Sequence, residues 1–124
     1  MPSFIVHGVP PVDRPDTILE LKRAIIEAAR NDPHLFGKEP ISVFVPADRD
    51  TLEIGEHIVV TTAGIGHRLL GARTLVALRN AVLHATKTWA LEHLPKCSCV
   101  EVNLEYTHPD GTEPARWKRD ALHE

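Results

Sequence analysis

The chain opens MPSFIVHGVPP, and Pro2 is the residue in that stretch with the most chemistry at stake. If the initiator Met1 is removed, as is usual ahead of a small residue, Pro2 carries a free secondary amine. An ordinary α-amine titrates near about 8. An apolar setting disfavours the charged form and moves the group toward neutrality, where proton exchange with a substrate is most efficient. The rigid ring also fixes the direction of the nitrogen. With Met1 retained, the same nitrogen is an amide without basicity, and Pro2 is only a proline that begins a strand. The residues alone leave both readings open.

Guanidinium groups are the second chemical resource. Arg14 lies in the loop after the first expected strand, Arg68 in the corresponding loop after the third, and Arg73 at the start of the helix that follows. Loops at the carboxyl ends of strands are where open α/β sheets bind ligands. A guanidinium fork there suits a carboxylate; a surface salt bridge is the alternative use of each arginine. The stretch GIGHR (64–68) lacks the third glycine of a dinucleotide fingerprint and reads as a strand-to-helix turn. No Gly-x-Ser-x-Gly elbow is present. Glu101 and Glu105 share one face of a strand, where such pairs are more often solvated or salt-bridged than catalytic. The eight histidines are scattered, with neither a His-x-x-x-His nor a Cys-x-x-Cys pair, so no metal site is expected. Cys97 and Cys99 are too close in sequence for an unstrained disulfide. They read as free thiols in a strand, which fits a reducing compartment.

These residues need elements to hold them. Residues 3–8 read as a strand rich in β-formers. A stiff VPPVDRP loop follows, then a helix in which Ile18, Leu21, Ile25, Ala28 and Ala29 repeat at helical spacing. Thr17 and Glu20 form the pattern of a capping box at its start, and NDP (31–33) ends it. A second strand is expected at 41–47. The order then repeats: a strand at 57–65, a helix over about 69–94 with Leu75, Leu78, Val82, Ala85 and Trp89 on one stripe, a stop at Pro95, and a strand at 97–106. In that last strand Val100, Val102, Leu104 and Tyr106 alternate against Cys99, Glu101, Asn103 and Glu105. HPDG (108–111) marks a turn, and 112–124 is a polar tail, read as a short helix or an arm.

The fold class is therefore α/β. Two consecutive β-α-β units, each a crossover with parallel strands, form a four-stranded mixed sheet with both helices on one face. Residues 1–110 make a single domain, and 111–124 a tail. Strands one to three are apolar on both parities, with Phe4 and Val6 against Ile5 and with Ile58 and Val60 against Val59. A sheet facing water on one side alternates more cleanly, so the bare face is expected to be buried against other copies of the chain.

The 124 residues suffice for one core. Hydrophobic content of 43% and charged content of 25% are ordinary globular values. No apolar run approaches the ~20 residues of a bilayer span, and Pro2, His7 and Pro10 interrupt any secretory pattern; a cytoplasmic protein is the expectation. With a formal charge of −3 and one exposed-looking basic pair, Lys118–Arg119 beside Trp117, no nucleic-acid footprint is present.

Taken together, Pro2 before Phe4-Ile5-Val6, Gly64-Ile65-Gly66-His67-Arg68, Glu105-Tyr106-Thr107-His108-Pro109 and Arg14-Pro15-Asp16 resemble the tautomerase superfamily. The likeness is to 5-carboxymethyl-2-hydroxymuconate isomerase and to the macrophage migration inhibitory factor group, and it spans roughly residues 2–109. It implies a homotrimer of two-unit subunits and a cofactor-independent isomerase acting on a small unsaturated 2-oxo or 2-hydroxy carboxylic acid, as in the degradation of aromatic compounds. Pro2 would be the general acid/base, and Arg68 would hold a carboxylate or enolate. Arg14, Arg73, His67 and Asn103 would bind substrate, together with Glu101, which replaces an aromatic of the inhibitory-factor group. The resemblance also admits dehalogenase, hydratase or decarboxylase chemistry with a protonated Pro2, and a trimer that kept the fold without activity.

Overall fold

The computed structural model describes residues 2–11, 14–32, 35–46, 54–64, 72–104 and 114–119. Along the chain these form β1 (Ser3–His7), α1 (Pro15–Ala29), β2 (Ser42–Phe44), β3 (His57–Ala63), α2 (Ala72–His93), β4 (Cys99–Asn103) and β5 (Ala115–Lys118). The strands make one sheet in the order β2-β1-β3-β4-β5. Within each β-α-β unit the strands are parallel, β1 with β2 and β3 with β4. The two units meet antiparallel through β1 and β3, with Val6 opposite Val60. The sheet is thus mixed, as expected.

It has five strands rather than four. β5 comes from the segment expected to be a tail, and it pairs antiparallel with β4, Val102 opposite Ala115 and Glu101 opposite Arg116. The physical reason lies in the alternation Ala-Arg-Trp-Lys: Ala115 is buried and Trp117 packs against the core, while Arg116 and Lys118 are exposed. Arg119 is not the open basic group it resembled. It donates from Nε and NH2 to the carbonyl of Cys97, at 3.2 and 3.0 Å, and lies over the Trp117 ring.

The core lies between the sheet and the helices. Phe4, Val6, Ile58, Val60, Val100 and Val102 are fully buried, as are Leu21 and Ile25 of α1 and Leu75 and Val82 of α2. Burial of one such aliphatic side chain stabilises the fold by roughly 1.5–3 kcal/mol. Trp89 ties the helices to one another, its Nε1 donating to the carbonyl of Thr17 at 2.9 Å. The opposite sheet face carries Ile5, Phe44, Val59 and Thr61 on one side and Cys99, Glu101, Asn103, Arg116 and Lys118 on the other. It is therefore half apolar rather than apolar throughout.

The start of α1 differs from the expected capping box. The helix begins at Pro15, with Arg14 as an extended cap that makes no side-chain cap bond, and the amide of Thr17 donates to the Arg14 carbonyl. A proline is preorganised for the first helical position and has no N–H to satisfy, so Thr17 falls inside the first turn. Arg30, at the other end, donates to the carbonyls of Gly37 and Glu39 and fastens the loop that leads to β2. Among the described residues the strands are also shorter than the alternation suggested, β2 covering only Ser42–Phe44.

Candidate functional site

Pro2 is buried at the head of β1, an inner strand flanked by β2 and β3. Its carbonyl accepts the amide of Ser42 at 3.2 Å, and the next residue, Ser3, lies between Ser42 of β2 and Ala63 of β3. The start of β1 is held from both sides. At this same edge of the sheet the chain leaves β3 at Gly64, whose φ of 80° turns it away from the strand, and leaves β4 at the buried Leu104. Thr62, buried opposite Phe4, adds a hydroxyl there that the sequence did not single out; its only signal is a polar residue at an inward parity of β3.

The other candidate residues fall into three groups. His67 and Arg68 lie outside the described residues, as does Glu105. Arg73 is exposed in the first turn of α2, which follows β3 and so starts on Pro2's edge of the sheet. Arg14 caps α1, which follows the far end of β1. It is therefore on the opposite edge, beyond the far end of a strand that runs about 16 Å from Pro2 by strand geometry, and its guanidinium pairs with Asp16 at 3.3 Å. The structure does not bring Arg14 to Pro2 within one chain.

Glu101 and Asn103 project from β4 on the open face. Asn103 shares a row with Thr61 and Ile5, two strands across from Pro2. Its amide donates to Glu101 at 3.4 Å. The Glu101 carboxylate takes two bonds from Arg116, from Nε at 3.0 Å and from NH2. That guanidinium, above all, holds the Glu101 carboxyl below the usual range, against the opposing effect of burial. Glu101 is thus the salt-bridged carboxylate that strand pairs of acids commonly are. Arg116 escaped the sequence reading because its strand did.

Both cysteines are free. Cys97 is buried, and burial pushes its thiol upward. Cys99 lines a cavity of about 260 Å³ with Glu56, His57, Ser98, Arg116 and Lys118, at the edge remote from Pro2. A second concavity, a groove of about 420 Å³, runs between α1 and α2 on the outer surface. Among the described residues no helix is long and apolar enough to cross a membrane.

No protein-family profile matches the sequence, and no curated protein matches it. Solved structures do. The Q0 fused 4-OT wild-type symmetric trimer is 16% identical, covers 89% of this chain and 89% of its own, and superposes with a TM-score of 0.60. The 5-carboxymethyl-2-hydroxymuconate isomerase from Deinococcus radiodurans R1 is 14% identical over 98% of this chain and 91% of its own, with a TM-score of 0.55. At such identities the likeness is one of architecture, in which two antiparallel-joined β-α-β units carry both helices on one face. The chain has the fold of the tautomerase superfamily.

Proposed function

We propose that the chain is a cofactor-independent tautomerase, an isomerase that shifts a proton on a small unsaturated 2-oxo or 2-hydroxy carboxylic acid, with Pro2 as general acid/base once Met1 is removed. The observation that carries the reading is a buried proline at the head of an inner strand in a sheet of this fold. Burial is the condition that brings a secondary amine toward neutrality. The neutral nitrogen takes a proton from the substrate and becomes a secondary ammonium. It returns the proton to a different atom of the resulting enolate, so the reaction is a net isomerisation.

Arg68 is assigned the substrate carboxylate and the charge that develops in the enolate. It follows Gly64 by four residues, a tether of about 14 Å at most, from the edge where Pro2 sits. His67, Arg73 and Asn103 complete the binding set. Arg14 and Glu101, paired with Asp16 and Arg116 in their own chain, join it only across a subunit boundary. The chain would work as a homotrimer in the cytoplasm, with the open sheet face covered by its copies.

An intact mass and one variant test the proposal. The mature chain is expected to be lighter by one methionine residue. Pro2→Ala is expected to lower kcat/KM for phenylenolpyruvate or 2-hydroxymuconate by about 10²–10⁴-fold, the usual contribution of a positioned acid/base. Retained methionine, or turnover unchanged in the variant, would overturn it. A rate that falls as the amine deprotonates, rather than rising, would point instead to hydration, dehalogenation or decarboxylation with a protonated Pro2.

A further inference from the structure

Three metal-ligand atoms from two helices converge away from the sheet. Glu20 lies in the second turn of α1, while Glu92 and His93 close α2. His93 Nε2 is 3.2 Å from Glu20 Oε2 and 3.8 Å from Glu92 Oε2, and the three donor atoms all lie within 4.8 Å of one another. With metal–ligand bonds of about 2.0–2.2 Å, neighbouring ligand atoms of a bound divalent ion are about 3.0–3.5 Å apart. Small side-chain rotations bring these three to that spacing. We propose that Glu20, Glu92 and His93 form an interhelix site for a divalent transition-metal ion of the Zn²⁺ and Co²⁺ class.

Two further observations support it. The imidazole is already oriented. Its ring lies against that of Trp89, with centroids 5.4 Å apart and planes at 41°, and Trp89 is itself anchored to the Thr17 carbonyl of α1. Nε2 is thereby aimed across the helix pair at the carboxylate of Glu20. There is also room for a complete coordination sphere, because Glu20 and Glu92 line the groove of about 420 Å³ between the helices. Water or an anionic ligand fills the remaining positions from that side. One nitrogen and two carboxylate oxygens suit zinc or cobalt. In the metal-free chain the Nε2–Glu20 contact occupies the same atoms, so binding exchanges a hydrogen bond for two metal bonds, with the ring proton placed on Nδ1. Sequence spacing hides the site, since Glu20 and His93 are 73 positions apart.

The test uses the metal alone and reads no turnover, so it is independent of the role of Pro2. ZnCl2 titrated calorimetrically into the whole chain in chelator-free buffer is expected to bind one equivalent with micromolar affinity and to raise Tm by about 4 °C or more at saturation. CoCl2 is expected to quench the fluorescence of Trp89, which touches the ligating ring. His93→Asn is expected to weaken zinc binding at least tenfold, and Glu92→Gln several-fold. Glu92→Gln leaves the His93–Glu20 contact in place and so guards against a general loss of folding. His84→Asn, which changes an exposed histidine of the same groove outside the cluster, is expected to bind as the parent does. Absence of binding up to 100 µM zinc, or affinity unchanged in both His93→Asn and Glu92→Gln, would overturn the site.

Discussion

Glu101 keeps its charge because Arg116 gives its carboxylate two hydrogen bonds across β4 and β5. Its carboxyl in the folded chain is held below the ordinary value, chiefly by that guanidinium, and Arg116 is shifted up by the same contact. A carboxyl depressed on folding adds stability above its unfolded pKa, and that stability is lost as pH falls through the folded value. Arg116→Gln is therefore expected to unfold at lower denaturant than the parent at pH 7. The gap should narrow as the solution is acidified and close once Glu101 is protonated in both chains. Urea titrations between pH 7 and pH 3 measure this. A gap constant with pH would mean that Arg116 acts through packing and not through its charge. The pairing also bears on the substrate, because a carboxylate engaged in this way is not available as a second proton-transfer group beside Pro2.

Among the elements, the turn after β1 makes the most exacting local demand. Gly8 has φ of 89°, and a Cβ added there would lie 2.2 Å from the carbonyl oxygen of His57, a backbone atom that cannot step aside. Its own carbonyl accepts the amide of Gly55 at 2.8 Å, so this turn fastens the approach to β3. Gly8→Ala combines a left-handed backbone with a clash and is expected to cost about 2–3 kcal/mol or more, read as a lowered midpoint in thermal or urea unfolding; a midpoint within experimental error of the parent would contradict the turn's geometry. How far such elements are legible in sequence depends on the length of their repeats. α1 and α2 are long enough for their apolar stripes to register, and in β4 the inward parity of Val100 and Val102, continued by the buried Leu104 just past its end, matches the expected one. β5 offers only four residues, two of them basic, after a turn-rich stretch, and its pairing partner is fixed by tertiary structure. The head of α1 was misplaced because two local signals competed, and the ring of Pro15 outweighed the Thr17–Glu20 pattern. Pro2 could be placed on its strand from sequence, whereas the separation of Arg14 from it could not, since that follows from the direction in which β1 runs.

For the whole molecule, assembly turns on the uneven sheet face. Its apolar residues gather on β2, β1 and β3, and Phe44 on the edge strand is 55% exposed. The β4–β5 side carries Glu101, Asn103, Arg116 and Lys118. Further copies of the chain would take the apolar half out of water and leave charged groups near the rim, the division found across stable interfaces. Light scattering at micromolar concentration is expected to give three times the chain mass. Phe44→Glu places a charge where a copy would sit. Because that side chain is largely exposed in the single chain, the substitution tests assembly without removing core packing. The variant is expected to scatter as a monomer with its secondary structure intact by circular dichroism. A parent protein that is monomeric, or a variant that remains trimeric, would show that the apolar half of the face is not what joins the copies.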